Sequence, residues 1–180
     1  VTNNEKIKDF IIKDSNFKIK NIQTKRVKRN PLPPYTTSTL QQDASNKLNF
    51  GASRTMSIAQ KLYEGINIGT ETTGLITYMR TDGVQLSKES INEIRNEILN
   101  RHGENFVPQI PRIYKSKAAN AQEAHEAIRP TSINRDPDSI SKYLDEEQKK
   151  LYELIWKRTI SSQMESCLLY TSPSPRDLYR

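Results

Sequence analysis

Apolar residues recur at helical spacing in four stretches of the chain. Leu40, Ala44 and Leu48 fall on one face at four-residue steps, behind a hydroxyl-rich run in which Ser38 and Gln41 stand at capping-box spacing, with Gly51 past the end. A second helix is expected from Ser53 or Thr55, carrying Met56, Ile58, Ala59, Leu62 and Tyr63 and stopping near Gly65. Ser87 is placed to cap a third, with Ile91, Ile94, Ile98 and Leu99 as its stripe and Gly103 as its stop. Asp145, with Gln148 at the capping-box position, begins a fourth that turns Leu151, Leu154, Ile155 and Ile160 inward. Period-two patterning is rarer. Ile7 to Ile12 reads as a helix end, and Phe17, Ile19 and Ile22 with interleaved lysines as a strand with one wet face. Residues 104–121 read as loop, Asp136 to Tyr143 as a turn and a short helix, and the pattern dissolves after Ser166. Pro31, Pro33 and Pro34 form a rigid connector, because proline fixes its own φ and biases its neighbour away from helix. The expected fold class is therefore mainly α with a short β segment at the N-terminus. The expected division is 1–33, 34–166 and 167–180.

Composition narrows the class. Only 34% of the 180 residues are hydrophobic, and no run of about eighteen apolar residues is present to span a bilayer. The N-terminus has no apolar signal core, so the cytoplasm is the expected compartment. Val1 in place of methionine suggests a chain entered in mid-gene or a non-standard start codon. The lone Cys167 excludes a disulfide framework or a cysteine zinc cluster within the chain. Net charge is +7, and it is concentrated: residues 1–30 hold nine Lys and Arg against three acids, so the remainder is nearly neutral. Such a segment, ending in Lys25, Arg26, Lys28 and Arg29, suits a polyanion such as nucleic acid and equally describes a solvated strand face.

Three features carry candidate chemistry. Gly74 to Asp82 reads GLITYMRTD, and in an extended segment Tyr78 and Arg80 share a face one pleat apart. A phenolic hydroxyl then stands beside a guanidinium able to grip a phosphate through two parallel hydrogen bonds, a pairing suited to attack on a phosphodiester. By itself the pattern also fits a half-buried strand tyrosine next to a solvated arginine. The two helices between Leu40 and Gly65, joined by a glycine turn, resemble a helix-turn-helix, and with the basic arm they leave open a non-catalytic DNA-binding module. Gln122 to Pro130, QEAHEAIRP, groups a histidine, two carboxylates and an arginine. A metal site is one reading, but without a second nearby histidine it falls short of a zinc motif, and a hydrogen-bonded His125 is the other.

PYTTSTLQQDAS (Pro34 to Ser45), GLITYMRTD and QEAHEAIRPT (Gln122 to Thr131) occur in an order and at spacings that resemble bacterial DNA topoisomerase I, of type IA. The likeness covers roughly Pro34 to Ser166. It implies a helical tyrosine-bearing domain over 34–166, preceded by a remnant of the family's β-rich arch domain. It also implies that Tyr78 is the nucleophile that attacks single-stranded DNA and holds the 5′ end as a phosphotyrosine, and that Arg80 contacts the scissile phosphate. His125 falls where the family has a histidine close to the active site and DNA. Thr77, Gln122 and Arg129 flank these positions on the DNA side, and Lys25, Arg26, Lys28 and Arg29 supply further DNA contacts. No metal ligand is expected within the chain. The resemblance places Mg²⁺ on an acidic toprim domain that is not part of it, as are most of the arch and any zinc ribbons. The implied partners are single-stranded and negatively supercoiled DNA and those missing domains, with no membrane. The isolated chain is expected to bind DNA weakly without relaxing it. Residues 167–180 depart from the family pattern and are expected to be a disordered or artefactual tail.

Overall fold

The computed structural model describes residues 25–69, 71–115 and 126–171. The chain divides into two compact units: Asn30–Ser166, and Val1–Arg29 together with Cys167–Arg180. In the latter, strand β1 (Lys25–Arg29) pairs antiparallel with the last described strand (Cys167–Thr171), Val27 opposite Leu169 and Arg29 opposite Cys167. Cys167–Thr171, expected to be patternless, is thus a strand. Its partner lies at the other end of the sequence, so local pattern carries no trace of the pairing. The expected strand around Phe17 to Ile22 and the helix end at Ile7 to Ile12 lie outside the described residues.

The larger unit is built on helices α1 (Thr37–Leu48), α2 (Ala52–Glu64), α3 (Lys88–His102) and α4 (Glu146–Ser162). Between α2 and α3 lies a two-residue ladder of β2 (Ile66–Asn67) with β3 (Thr72–Thr73); the strand at Cys167–Thr171 is β4. α4 is the common support, packed by α1, α2 and α3. It buries Leu151, Tyr152, Ile155, Trp156, Thr159 and Ile160, a stripe at three- and four-residue steps. Its aromatic heads are satisfied by an irregular segment: Trp156 Nε1 donates to Ile133 O at 2.9 Å and Tyr152 Oη to Arg135 O at 2.7 Å.

The helix starts follow from their caps. Asp145 accepts from the amides of Glu147 and Gln148, and Gln148 answers with a bond from the Asp145 amide. The Ser87 hydroxyl accepts from the Ser90 amide. The α1 cap is Thr36 with Thr39, two residues ahead of the expected Ser38 with Gln41. α1 ends at Asn49 in the left-handed region (φ 57°), whose N–H reaches Ala44 O and Ser45 O, and Gly51 opens α2 rather than closing α1. On α3, Ile91, Ile94 and Ile98 face inward as expected, but Leu99 lies on the solvent side.

Where α1 meets α4 lies a partly buried polar cluster. The Tyr35 side chain, 1% exposed, donates to Asp43 Oδ2 at 2.5 Å. The same oxygen accepts from Arg158 at 2.6 Å and Lys47 at 2.9 Å, and the Arg158 guanidinium stacks over the Tyr35 ring at 4.5 Å. Burial and then the Asp43 hydrogen bond push the Tyr35 hydroxyl up to about 12. For Asp43, burial works in the opposite sense but is outweighed by hydrogen bonds from Tyr35, Lys47 and Arg158, which bring it down to about 2. Tyr35 is thereby fixed, and its backbone accepts from the Ile128 amide at 2.8 Å, tying the start of α1 to the Ala127–Pro130 segment. Among the described residues no helix is long and apolar enough to cross a membrane.

Candidate active site

The GLITYMRTD segment leaves the end of α2 under tight steric control. The Leu75 amide donates to Leu62 O at 2.7 Å, and a Cβ added at Gly74 would stand 2.5 Å from the Tyr63 carbonyl oxygen. Only a residue without a side chain lets the two backbones approach this closely. Leu75 and Ile76 are fully buried and anchor the segment in the core. On one side it is held by the 127–131 segment: Ile76 bridges Pro130, Thr77 N donates to Arg129 O at 2.9 Å, and the Thr131 amide donates to Leu75 O at 3.0 Å. Thr77 adds a side-chain clasp, donating from Oγ1 to Ala127 O at 2.7 Å and accepting from the Arg129 amide at 3.0 Å. On the other side the start of α1 holds it. Thr37 Oγ1 donates to Met79 O at 2.8 Å and accepts from the Thr81 amide at 2.8 Å, while Thr37 N donates to Thr81 O at 2.9 Å.

Tyr78 sits between the two clasps. The expected regular strand is not formed: the segment bends at Thr77 and again at Met79 and Arg80, and its partners are a loop and a helix start rather than a ladder strand. The two-residue alternation survives nevertheless. Met79 and Thr81 are buried, while Tyr78, at 37% exposed, and Arg80 lie at the surface. Among the described residues no carboxylate pairs with Arg80, which leaves its fork open to an anion.

Tyr63 stands on the last turn of α2. It is 41% exposed, and its ring meets Tyr78 edge-on, with centroids 5.4 Å apart and planes at 66°. Helical spacing could not reveal this, because the partner ring arrives from across the β2–β3 excursion. The sequence signal available was Gly74, whose close approach to Tyr63 brings the two together.

Arg129 is largely committed: Nε and one terminal nitrogen donate to Glu126 Oε2 at 2.9 and 2.6 Å, the other terminal nitrogen to Pro130 O at 2.9 Å. Glu126 also accepts from the Ser87 amide at 3.0 Å through Oε1, so the pair buttresses the start of α3. Gln122 and His125 lie outside the described residues. Lys25, Arg26, Lys28 and Arg29 belong to β1 in the smaller unit; Lys28 and Arg29 are exposed, and the side chains of Lys25 and Arg26 lie outside the description. Among the described residues no three His, Cys, Asp or Glu side chains gather where they could hold a metal ion.

Comparison with known proteins yields one family. A family model described as DNA topoisomerase matches residues 2–173. DNA topoisomerase 1 of Rickettsia bellii is 55% identical over 171 residues, 94% of this chain and 21% of the relative. DNA topoisomerase 1 of Xylella fastidiosa is 54% identical over 155 residues, 86% of this chain and 19% of the relative. The crystal structure of full-length topoisomerase I from Thermotoga maritima superimposes with a TM-score of 0.77 at 40% identity, covering 93% of this chain and 26% of that one. The chain thus spans about a fifth of the length of the curated relatives it matches. The match, running almost from end to end, establishes that the chain belongs to the bacterial type IA DNA topoisomerase family.

Proposed function

We propose that this chain carries the DNA-cleaving tyrosine of a type IA topoisomerase, with Tyr78 as nucleophile and Arg80 as the group that receives the scissile phosphate. The observation that carries the reading is that Tyr78 and Arg80 are both exposed, with Met79 buried between them, on a backbone fixed by the Thr77 and Thr37 clasps. The Tyr78 hydroxyl attacks a phosphodiester of single-stranded DNA. The O–P bond to tyrosine forms, the P–O3′ bond breaks, the phenolic proton is lost to a base, and the departing 3′ oxygen takes up a proton. One phosphodiester replaces another, so resealing by the reverse step requires no ATP. A tyrosine hydroxyl ordinarily loses its proton near pH 10, so attack at neutral pH requires assistance in deprotonation and stabilisation of the charge on phosphorus. Arg80 is suited to the second task, a fixed guanidinium worth most where water is excluded by bound DNA. Arg129 acts through structure, keeping Glu126 and the 126–130 segment in place against Thr77. The unit 30–166 is the tyrosine domain, and the β1–β4 pair belongs to the arch. Mg²⁺ is supplied by a toprim domain elsewhere in the whole enzyme, which works on negatively supercoiled DNA in the bacterial cytoplasm. The chain alone does not relax DNA.

The test replaces the matching region of Rickettsia bellii DNA topoisomerase 1 with residues 30–166 and offers Mg²⁺ and a 3′-labelled single-stranded oligonucleotide. Label transferred to protein, lost in Tyr78→Phe and formed roughly 10²-fold more slowly in Arg80→Ala, is the expected result. An adduct that persists in Tyr78→Phe overturns the nucleophile assignment.

A further inference from the structure

The backbone clasps fix where the Cα of Tyr78 stands, but they do not by themselves set the χ1 well of its side chain, and a tyrosine has several such wells available. In-line attack tolerates little of that freedom, because the hydroxyl must approach the phosphorus opposite the departing oxygen. Tyr63 supplies a wall. Its ring lies 5.4 Å from that of Tyr78 at 66°, the edge-to-face arrangement that aromatic quadrupoles favour. Burial does not account for the pair, since both rings are more than a third exposed. Nor does a hydrogen bond: among the described residues the Tyr63 hydroxyl has none. The base of the wall is held in place, because Tyr63 stands on the last turn of α2, its carbonyl abuts Gly74, and the preceding Leu62 carbonyl accepts the Leu75 amide.

We propose that Tyr63 is a positioning residue for DNA cleavage, its ring restricting Tyr78 to the rotamer from which the hydroxyl attacks. The proposal rests on Tyr78 being the nucleophile. It assigns Tyr63 no bond to DNA and no part in proton transfer, so the ring matters and the hydroxyl does not.

The test uses the same full-length chimera, comparing Tyr63→Leu, Tyr63→Gln and Tyr63→Phe, with Tyr78→Phe as the control for the underlying reading. Adduct formation is followed at saturating single-stranded DNA, and DNA affinity is measured separately. Tyr63→Leu and Tyr63→Gln are expected to form adduct roughly 5- to 100-fold more slowly at saturation, between the loss of one aromatic contact and a misplacement of about 1 Å, with affinity unchanged within about twofold. Tyr63→Phe restores the rate to within about twofold of the parent. The two non-aromatic variants guard against a loss caused by misfolding in either one, and unaltered affinity marks both as folded. Three results overturn the proposal: an unchanged rate in Leu and Gln, a loss confined to affinity (which would make Tyr63 a stacking platform for a base), or a Phe variant as slow as Leu. Adduct surviving in Tyr78→Phe would instead refute the nucleophile assignment, whatever Tyr63 does.

Discussion

Replacing Gly74 by alanine is expected to damage both stability and chemistry, for a reason that is purely steric. The new Cβ would lie 2.5 Å from the Tyr63 carbonyl oxygen, where ordinary contact begins near 3.4 Å. That oxygen belongs to helix backbone and has no side chain to swing away. Relief requires the segment and the end of α2 to separate by roughly half an ångström to one ångström, in the range where overpacking costs about 1–3 kcal/mol. The separation also stretches the 2.7 Å bond from the Leu75 amide to Leu62 O, whose weakening adds up to about 1 kcal/mol. The combined loss of about 1–4 kcal/mol corresponds to a fall in Tm of roughly 2–16 °C for a body of this size. Because the shift propagates four residues on to Tyr78, adduct formation in the chimera should fall by about 10²-fold. Gly51→Ser is the internal control, since nothing lies within 4 Å of a Cβ there and serine is a good N-cap. Thermal melts and the oligonucleotide cleavage assay on both variants decide the matter. A Gly74→Ala protein with parental Tm and cleavage rate would refute the argument that close backbone approach places Tyr78.

Three further outcomes follow from the structure. Thr77→Val keeps the shape but removes the donor to Ala127 O and the acceptor for the Arg129 amide, and should cost about 1–3 kcal/mol while speeding hydrogen exchange at Arg129; unchanged exchange there would refute the clasp. Asp43 is held near 2 against its ordinary 3.8, so its contribution is complete above about pH 4 and is lost as the pH falls through 2, up to about 2 kcal/mol after allowing for its partial exposure. Urea titrations should show that acid limb flattened in Asp43→Asn, and a limb of equal depth in both proteins would refute the assignment. Tyr35, raised to about 12, works in the alkaline direction: its contribution is complete below pH 10 and fades as the pH climbs to 12.

What the sequence made legible is what depends on neighbours three or four residues away. Ser87, Asp145 with Gln148, and most of the stripes of α3 and α4 are local, and the structure places them as their spacing implies, Leu99 excepted. The α1 cap slipped because four hydroxyl residues stand in a row and local pattern has no means of ranking them. The choice is made by Thr37, whose hydroxyl and amide are taken by Met79 and Thr81, more than forty residues on. The exposure of Tyr78 and Arg80 was readable from alternation, but the irregular backbone was not, since it is dictated by a loop on one side and a helix start on the other. Tyr63 and β4 were hidden for the same reason: each takes its meaning from a partner distant in sequence, Tyr78 for one and β1 for the other. The Asp43 cluster gathers Tyr35, Lys47 and Arg158, and no spacing rule connects Arg158 to the rest.

The unit Asn30–Ser166 begins and ends at one place. Ser166 Oγ donates to Asn30 Oδ1 at 2.8 Å, and the Tyr114 hydroxyl lies within hydrogen-bond reach of both Pro31 O and Ser162 O. A body whose two ends leave from the same spot can be lifted from one host chain and set into another like a cassette, a short loop being enough to join the cut ends. On that geometry residues 30–166 are expected to tolerate exchange among relatives, or circular permutation with new termini opened in a surface loop, without disturbing the contacts that hold Tyr78 in place.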